Sequence, residues 1–172
     1  MARHDGPVLA DTNVILECWR VSAWKALASG YRVETVEDCV IETQTGLQRR
    51  RAAQQIDAAQ LRASLAAIHP VGDRELAAAA VRDPLFSSLD IGERSLWAHA
   101  LTRGDAWVLC GPDKASLRLG VRLGLRDRLV ALETLLSDVG FWPKEALRTN
   151  YTSKWHAEAL NQMAILEKPS RR

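Results

Sequence analysis

Four acidic residues stand where short apolar runs end or where the following helices begin. Asp11 directly follows Val8-Leu9-Ala10. Asp113 lies three residues after the run Ala106 to Cys110, behind Gly111-Pro112. Glu42 falls in the first turns of the helix expected after the run Arg32 to Val36, and Glu93 in the first turn of the helix expected before Ala106. Four carboxylates gathered in one place repel one another and raise one another's pKa. A hard divalent cation resolves that conflict, because Mg²⁺ takes oxygen ligands, keeps several waters and bridges to phosphate oxygens. An acidic cluster is therefore a poor site for a phosphodiester without metal and a good one with it. The ion would lower the pKa of a bound water, hold it in line with phosphorus and neutralise the developing charge.

Each acid also has a reading without chemistry. Asp90 and Glu93 fit a D-x-x-E capping box. Asp113 after Pro112 suits the positive end of a helix dipole. Asp11 ahead of Thr12-Asn13 would cap a helix, and Glu42 would sit on a helix surface. Singly, these readings are at least as good as a catalytic one. A shared site explains why each strand end or helix start carries an acid.

The elements that must position the acids alternate along the chain. Strands are expected at Val8–Ala10, Arg32–Val36, Ala106–Cys110 and Arg128–Leu132. Helices are expected from about Asn13 to Arg20, from Ser22 (as cap) to Ala28, and behind Asp38 (as cap) through Glu42. More follow at 51–67 with Ile56, Leu61, Leu65 and Ile68 at helical spacing, then from Asp73 (as cap) to Val81, from about Asp90 to Arg103, from Asp113 to Leu123, and at 133–139. His69-Pro70 is expected to end the helix over 51–67. A last amphipathic helix at 152–167 is expected to carry Trp155, Ala159, Met163 and Leu166 on one side. Such alternation predicts an α/β fold around a mainly parallel sheet, in which sites lie outside the carboxyl ends of the strands.

The bulk properties agree. The chain has 172 residues, 47% of them hydrophobic and 26% charged, a balance that can fill a core and does not suggest disorder. No apolar run reaches the roughly 18 residues of a membrane span, and Asp5 and Asp11 interrupt any signal-peptide apolar region. The expectation is a cytoplasmic protein. Cys18, Cys39 and Cys110 have no C-x-x-C spacing and read as buried reduced thiols. The net charge of +2 gives no strong global field. Basic residues do cluster at Arg49-Arg50-Arg51, at Arg118/Arg122/Arg126/Arg128, and at Lys168, Arg171 and Arg172, each either a phosphate contact or a solvated helix face. His4, His69, His99 and His156 are scattered without metal spacing. Trp97 and Trp107 read as core, whereas Trp19 and Trp24 on the first helices are candidates for an interface.

Four segments, in order, resemble the motifs of the PIN-domain ribonucleases: VLADTNVILE, VETVEDCVIET, LDIGERSLWAHAL and WVLCGPDKASLR. The resemblance covers about residues 6–135. It implies a three-layer α/β/α sandwich and a Mg²⁺- or Mn²⁺-dependent endoribonuclease acting on RNA. Many small members are VapC-like toxins of toxin–antitoxin pairs, usually homodimers inhibited by a small antitoxin protein. Carried over by position, Asp11, Glu42, Glu93 and Asp113 are the metal-binding acids, and Thr12 or Asn13 orients Asp11 or the attacking water. The resemblance assigns residues 1–140 to the PIN-like domain. It leaves 141–172 as a C-terminal helical extension that packs on the domain, mediates dimerisation or binds a partner.

The chain departs from the pattern in two places. The third motif offers both Asp90 and Glu93, of which Glu93 is the expected ligand and Asp90 a cap or a partner to the ligands. Behind Asp113, where some members carry another acid, stand Lys114, Ala115 and Ser116, with Ser116 a candidate to assist a ligand. Two other readings compete. A phosphatase of the haloacid-dehalogenase type also places Asp after its first strand but usually wants a second Asp two residues on, where this chain has Asn13. A catalytically silent PIN-like module would bind RNA or protein without cleaving it.

Overall fold

The computed structural model describes residues 3–46, 52 and 55–168. Five parallel strands form one sheet in the order β3-β2-β1-β4-β5. They are β1 (Val8–Ala10), β2 (Val33–Val36), β3 (Ala67–His69), β4 (Val108–Cys110) and β5 (Leu129–Val130). The helices are α1 (Thr12–Arg20), α2 (Trp24–Gly30), α3 (Glu37–Gln44), α4 (Ala58–Ser64), α5 (Asp73–Arg82), α6 (Ile91–Leu101), α7 (Lys114–Arg122), α8 (Leu132–Asp138) and α9 (Ser153–Leu166).

Strand alternation divides the core in two. Val8 and Ala10 face one way, with Val14, Ile15 and Cys18 of α1, Leu27 of α2, Leu61 of α4 and Leu135 of α8. Leu9, Val36 and Leu109 face the other way, with Ala79 of α5, Leu96 and Trp97 of α6, Leu117 of α7 and Leu160 of α9. The architecture is thus a three-layer α/β/α sandwich, and the parallel sheet at its centre is what the alternating pattern predicts. The close packing of α7 needs Gly120, where a Cβ would lie 2.8 Å from a Leu129 methyl and 3.0 Å from the Trp97 ring.

Short polar side chains start many of the helices. Asp11, Asp57, Asp90, Asp113 and Thr152 each accept a backbone N–H two or three residues on. Other expected caps are displaced. Ala23, Val36 and Gly72 precede α2, α3 and α5, while Ser22 takes a left-handed φ of 57° and Asp38 and Asp73 lie in first turns.

The largest correction concerns the helix expected over 51–67. Its start lies partly outside the described residues. The helix itself occupies Ala58–Ser64, and Ala67–His69 pairs with Glu34–Val36 as a fifth strand, β3. The spacing of Leu65 and Ile68 satisfies a helix locally, but the open edge of β2 supplies backbone partners that the helix cannot.

Residues 141–168 pack on the sandwich. Tyr151 joins the first core group, Ala159 and Leu160 the second, and α9 lies along α7. Within α9, Trp155, Ala159 and Met163 point inward as expected, but Leu166 is 66% exposed. Trp24 is buried and donates its indole N–H to Ser64 Oγ at 2.8 Å, so it serves the core rather than an interface. Among the described residues, no helix is long and apolar enough to cross a membrane.

Candidate functional site

Working outward from β1, the strand order runs to β2 and β3 on one side and to β4 and β5 on the other. The switch point of the sheet therefore lies between the carboxyl ends of β1 and β4. Asp11 follows β1 there, and its backbone N–H donates to the Cys110 carbonyl of β4 at 3.1 Å. Its carboxylate caps α1, Oδ2 accepting the Asn13 N–H at 3.2 Å. The side chain is buried, and that burial pushes its pKa up to about 7. Asp90 and Glu42 add to the rise, against the lowering effect of the Asn13 and Thr12 backbone hydrogen bonds.

Glu93 sits in the first turn of α6 and is only 5% exposed. Burial, then the nearby charges of Asp113, Asp11 and Asp90, push it up to about 8. Asp90 caps the same helix, its Oδ1 accepting the Glu93 N–H at 2.8 Å. Asp113 caps α7, its Oδ1 accepting from Ala115 N at 2.7 Å and Ser116 N at 3.2 Å. Three helix starts thus deliver Asp11, Asp90, Glu93 and Asp113 to one electrostatic neighbourhood. The capping reading holds for Asp11, Asp90 and Asp113, and their cap geometry sets the direction of those three carboxylates.

Glu42 lies in the last turn of α3, not in its first turns as expected, because the helix starts at Glu37 directly after β2, and from there it joins them as a brace. Its Oε2 accepts the Thr12 hydroxyl at 2.8 Å, and its Oε1 accepts the Gly92 N–H at 3.0 Å. It therefore links the starts of α1 and α6 to α3. The approach depends on Gly92, since a Cβ there would lie 2.5 Å from Glu42 Oε2.

The supporting residues divide. Thr12 acts on Glu42 through its hydroxyl. Asn13 acts through its backbone: its N–H holds Asp11 and its carbonyl accepts the Tyr151 hydroxyl at 3.1 Å. Ser116 is buried, and its Oγ accepts the Trp97 indole N–H at 2.8 Å. Tyr151 lies in the extension and carries no motif. A fully buried carboxylate, Glu17, receives the Arg148 backbone N–H at 2.8 Å and the Arg20 guanidinium, fixing the same extension to α1.

The arginines at 118, 122, 126 and 128 each bond partners within the chain. Arg118 pairs with Glu167, Arg122 with Asp83 and Glu167, Arg126 bonds Asn161 Oδ1, and Arg128 bonds the Trp107 carbonyl at 2.8 Å. Arg49, Arg50, Arg51, Arg171 and Arg172 lie outside the described residues.

The acids fit a hard cation by donor type. They are carboxylates, and two are held near neutrality by burial and mutual repulsion, a cost that a divalent ion relieves. A Mg²⁺ that keeps several waters does not require the protein oxygens to crowd together. Closer convergence occurs elsewhere among the described residues, at Glu34, His69 and His99, whose donor atoms lie within 4.8 Å of one another. Scattered in sequence, these histidines stack at 3.9 Å between ring centroids. A glutamate inside the apolar-flanked strand Val33–Val36 is the only sequence signal for them.

Compared with models of protein families, with curated proteins and with solved structures, the chain finds no match.

Proposed function

We propose that this chain is a Mg²⁺- or Mn²⁺-dependent endoribonuclease, the toxin of a toxin–antitoxin pair. One observation carries the reading. Asp11 and Glu93, both buried at the switch point of a parallel sheet, are pushed up to about 7 and about 8, with Asp90, Asp113 and Glu42 contributing charge. The order of the four PIN-like motifs supports RNA as the substrate.

Asp11, Glu93 and Asp113 would hold the ion, with Asp90 beside them and Glu42 bracing the site. A bound divalent cation there supplies an activated water and charge neutralisation at the phosphodiester. The chain's own part is preorganisation. Backbone N–H groups of Asn13, Ala115 and Ser116 orient Asp11 and Asp113. Thr12 and Gly92 hold Glu42, so α3 is tied by one hydrogen bond to α1 and by another to α6. Fixing donors before the reaction avoids reorganisation during it. In the same reading, the partners are an antitoxin protein and a second copy of the chain.

The test is incubation of the purified protein with structured and single-stranded RNAs in Mg²⁺ or Mn²⁺, with EDTA and Asp11→Asn as controls. Cleavage that needs metal and vanishes in the variant is expected. Mn²⁺ binding with no turnover on any RNA would favour a catalytically silent binding module, and absence of Mn²⁺ binding would remove the acidic site itself.

A further inference from the structure

We propose a second metal site, for a borderline transition ion such as Zn²⁺, Ni²⁺ or Co²⁺, formed by Glu34, His69 and His99 and at present filled by the Arg103 guanidinium. The inference does not rest on the nuclease reading. Glu34 lies on β2, His69 at the end of the neighbouring β3, and His99 near the end of α6. Their donor atoms lie within 4.8 Å of one another, and His69 Nε2 is 2.8 Å from Glu34 Oε2. Two imidazoles and one carboxylate form a recurrent three-ligand zinc set that leaves a fourth position for water. The imidazoles disfavour Mg²⁺ and favour later first-row ions.

Arg103 marks where the cation belongs. Its Nη1 donates to Glu34 Oε2 and lies 3.0 Å from His99 Nε2, so a positive group already sits between two of the three donors. The same guanidinium has a second anchor. Its Nε and Nη2 reach the Asp105 carboxylate at 2.9 and 2.6 Å. Arg103 can therefore leave Glu34 without losing its partner. Glu34 Oε1 keeps Arg32 at 3.0 Å when Oε2 changes ligand. The carboxylate is buried, while the His69 side chain is 28% exposed and gives the ion a route from solvent. One rearrangement is required. The two rings stack with an interplanar angle of 17°, and an ion lies in the plane of each imidazole it binds, so one ring must turn as the ion enters.

The experiment titrates the full chain with Co²⁺ and follows the visible absorption of the bound ion. One nitrogen-ligated equivalent is expected in the wild type and in Asp11→Asn. His69→Gln and His99→Gln should lose it, while Arg103→Leu should tighten it by about tenfold, the effect of removing one nearby like charge. Absence of nitrogen-ligated Co²⁺ absorption in the wild type, or such absorption surviving in both histidine variants, overturns the site, whereas oxygen-ligated Co²⁺ reports on the acidic residues instead. The wild-type arm decides this even if a variant does not fold. Unchanged affinity in a folded Arg103→Leu overturns the role of the guanidinium as the competing cation.

Discussion

The Thr12 hydroxyl donates to the Glu42 carboxylate across 2.8 Å, joining residues thirty positions apart, one at the start of α1 and the other in the last turn of α3. With the Gly92 N–H on the other oxygen, this bond makes Glu42 a strut of the acidic site. Gly92→Ala would place a methyl 2.5 Å from Glu42 Oε2 and force the carboxylate off both donors. Thr12→Val removes one donor and should cost about 1–3 kcal/mol if the acceptor stays unsatisfied. Both variants are expected to weaken Mn²⁺ binding in calorimetry, Gly92→Ala more than Thr12→Val. Unaltered affinity in both would mean that Glu42 does not shape the site.

The raised carboxyl groups make stability depend on pH in a defined direction. Asp11 rises from 3.8 to about 7 and Glu93 from 4.5 to about 8, so the folded chain holds these protons more tightly than the unfolded chain does. Their contribution is fully present below about pH 4 and is lost as pH rises through about 7 to 8. Urea unfolding in EDTA should show the metal-free protein losing stability across that window, and Asp11→Asn should reduce the loss. A flat profile would show that the two groups ionise freely in the fold.

Ser116 separates a ligand-assisting role from a packing role. Its Oγ is the acceptor of the buried Trp97 indole N–H at 2.8 Å. Ser116→Ala should therefore lower the melting temperature, at a cost of about 1–3 kcal/mol for the orphaned donor. Mn²⁺ affinity should hardly move. Loss of metal binding without loss of stability would instead place the hydroxyl beside the ion.

The extension is fixed to α1 by Glu17 and Tyr151. Glu17→Ala leaves the Arg148 backbone N–H and much of the Arg20 fork without their acceptor and should cost about 3 kcal/mol. Tyr151→Phe removes only the bond to the Asn13 carbonyl and should cost about 1 kcal/mol. Chemical denaturation midpoints check the order. If Tyr151→Phe also weakens Mn²⁺ binding, the extension takes part in orienting Asp11 through Asn13.

The sandwich, four of its five strands and the helix starts at Asp11, Asp90 and Asp113 were legible in the sequence. Their signals are local: an apolar run, a polar cap and a helical period lie within a few residues of one another. A parallel sheet then gathers its strand ends whatever the intervening sequence, so the acids could be grouped before any contact was known. Strand β3 was hidden because Leu65 and Ile68 fit a helix equally well, and only the free edge of β2 decided the matter. The arginine partners, the Glu42 brace, the tie from Tyr151 to Asn13 and the meeting of Glu34, His69 and His99 join residues up to 138 positions apart. Those pairings depend on how the layers pack, so the chain's own periodicity carries no trace of them.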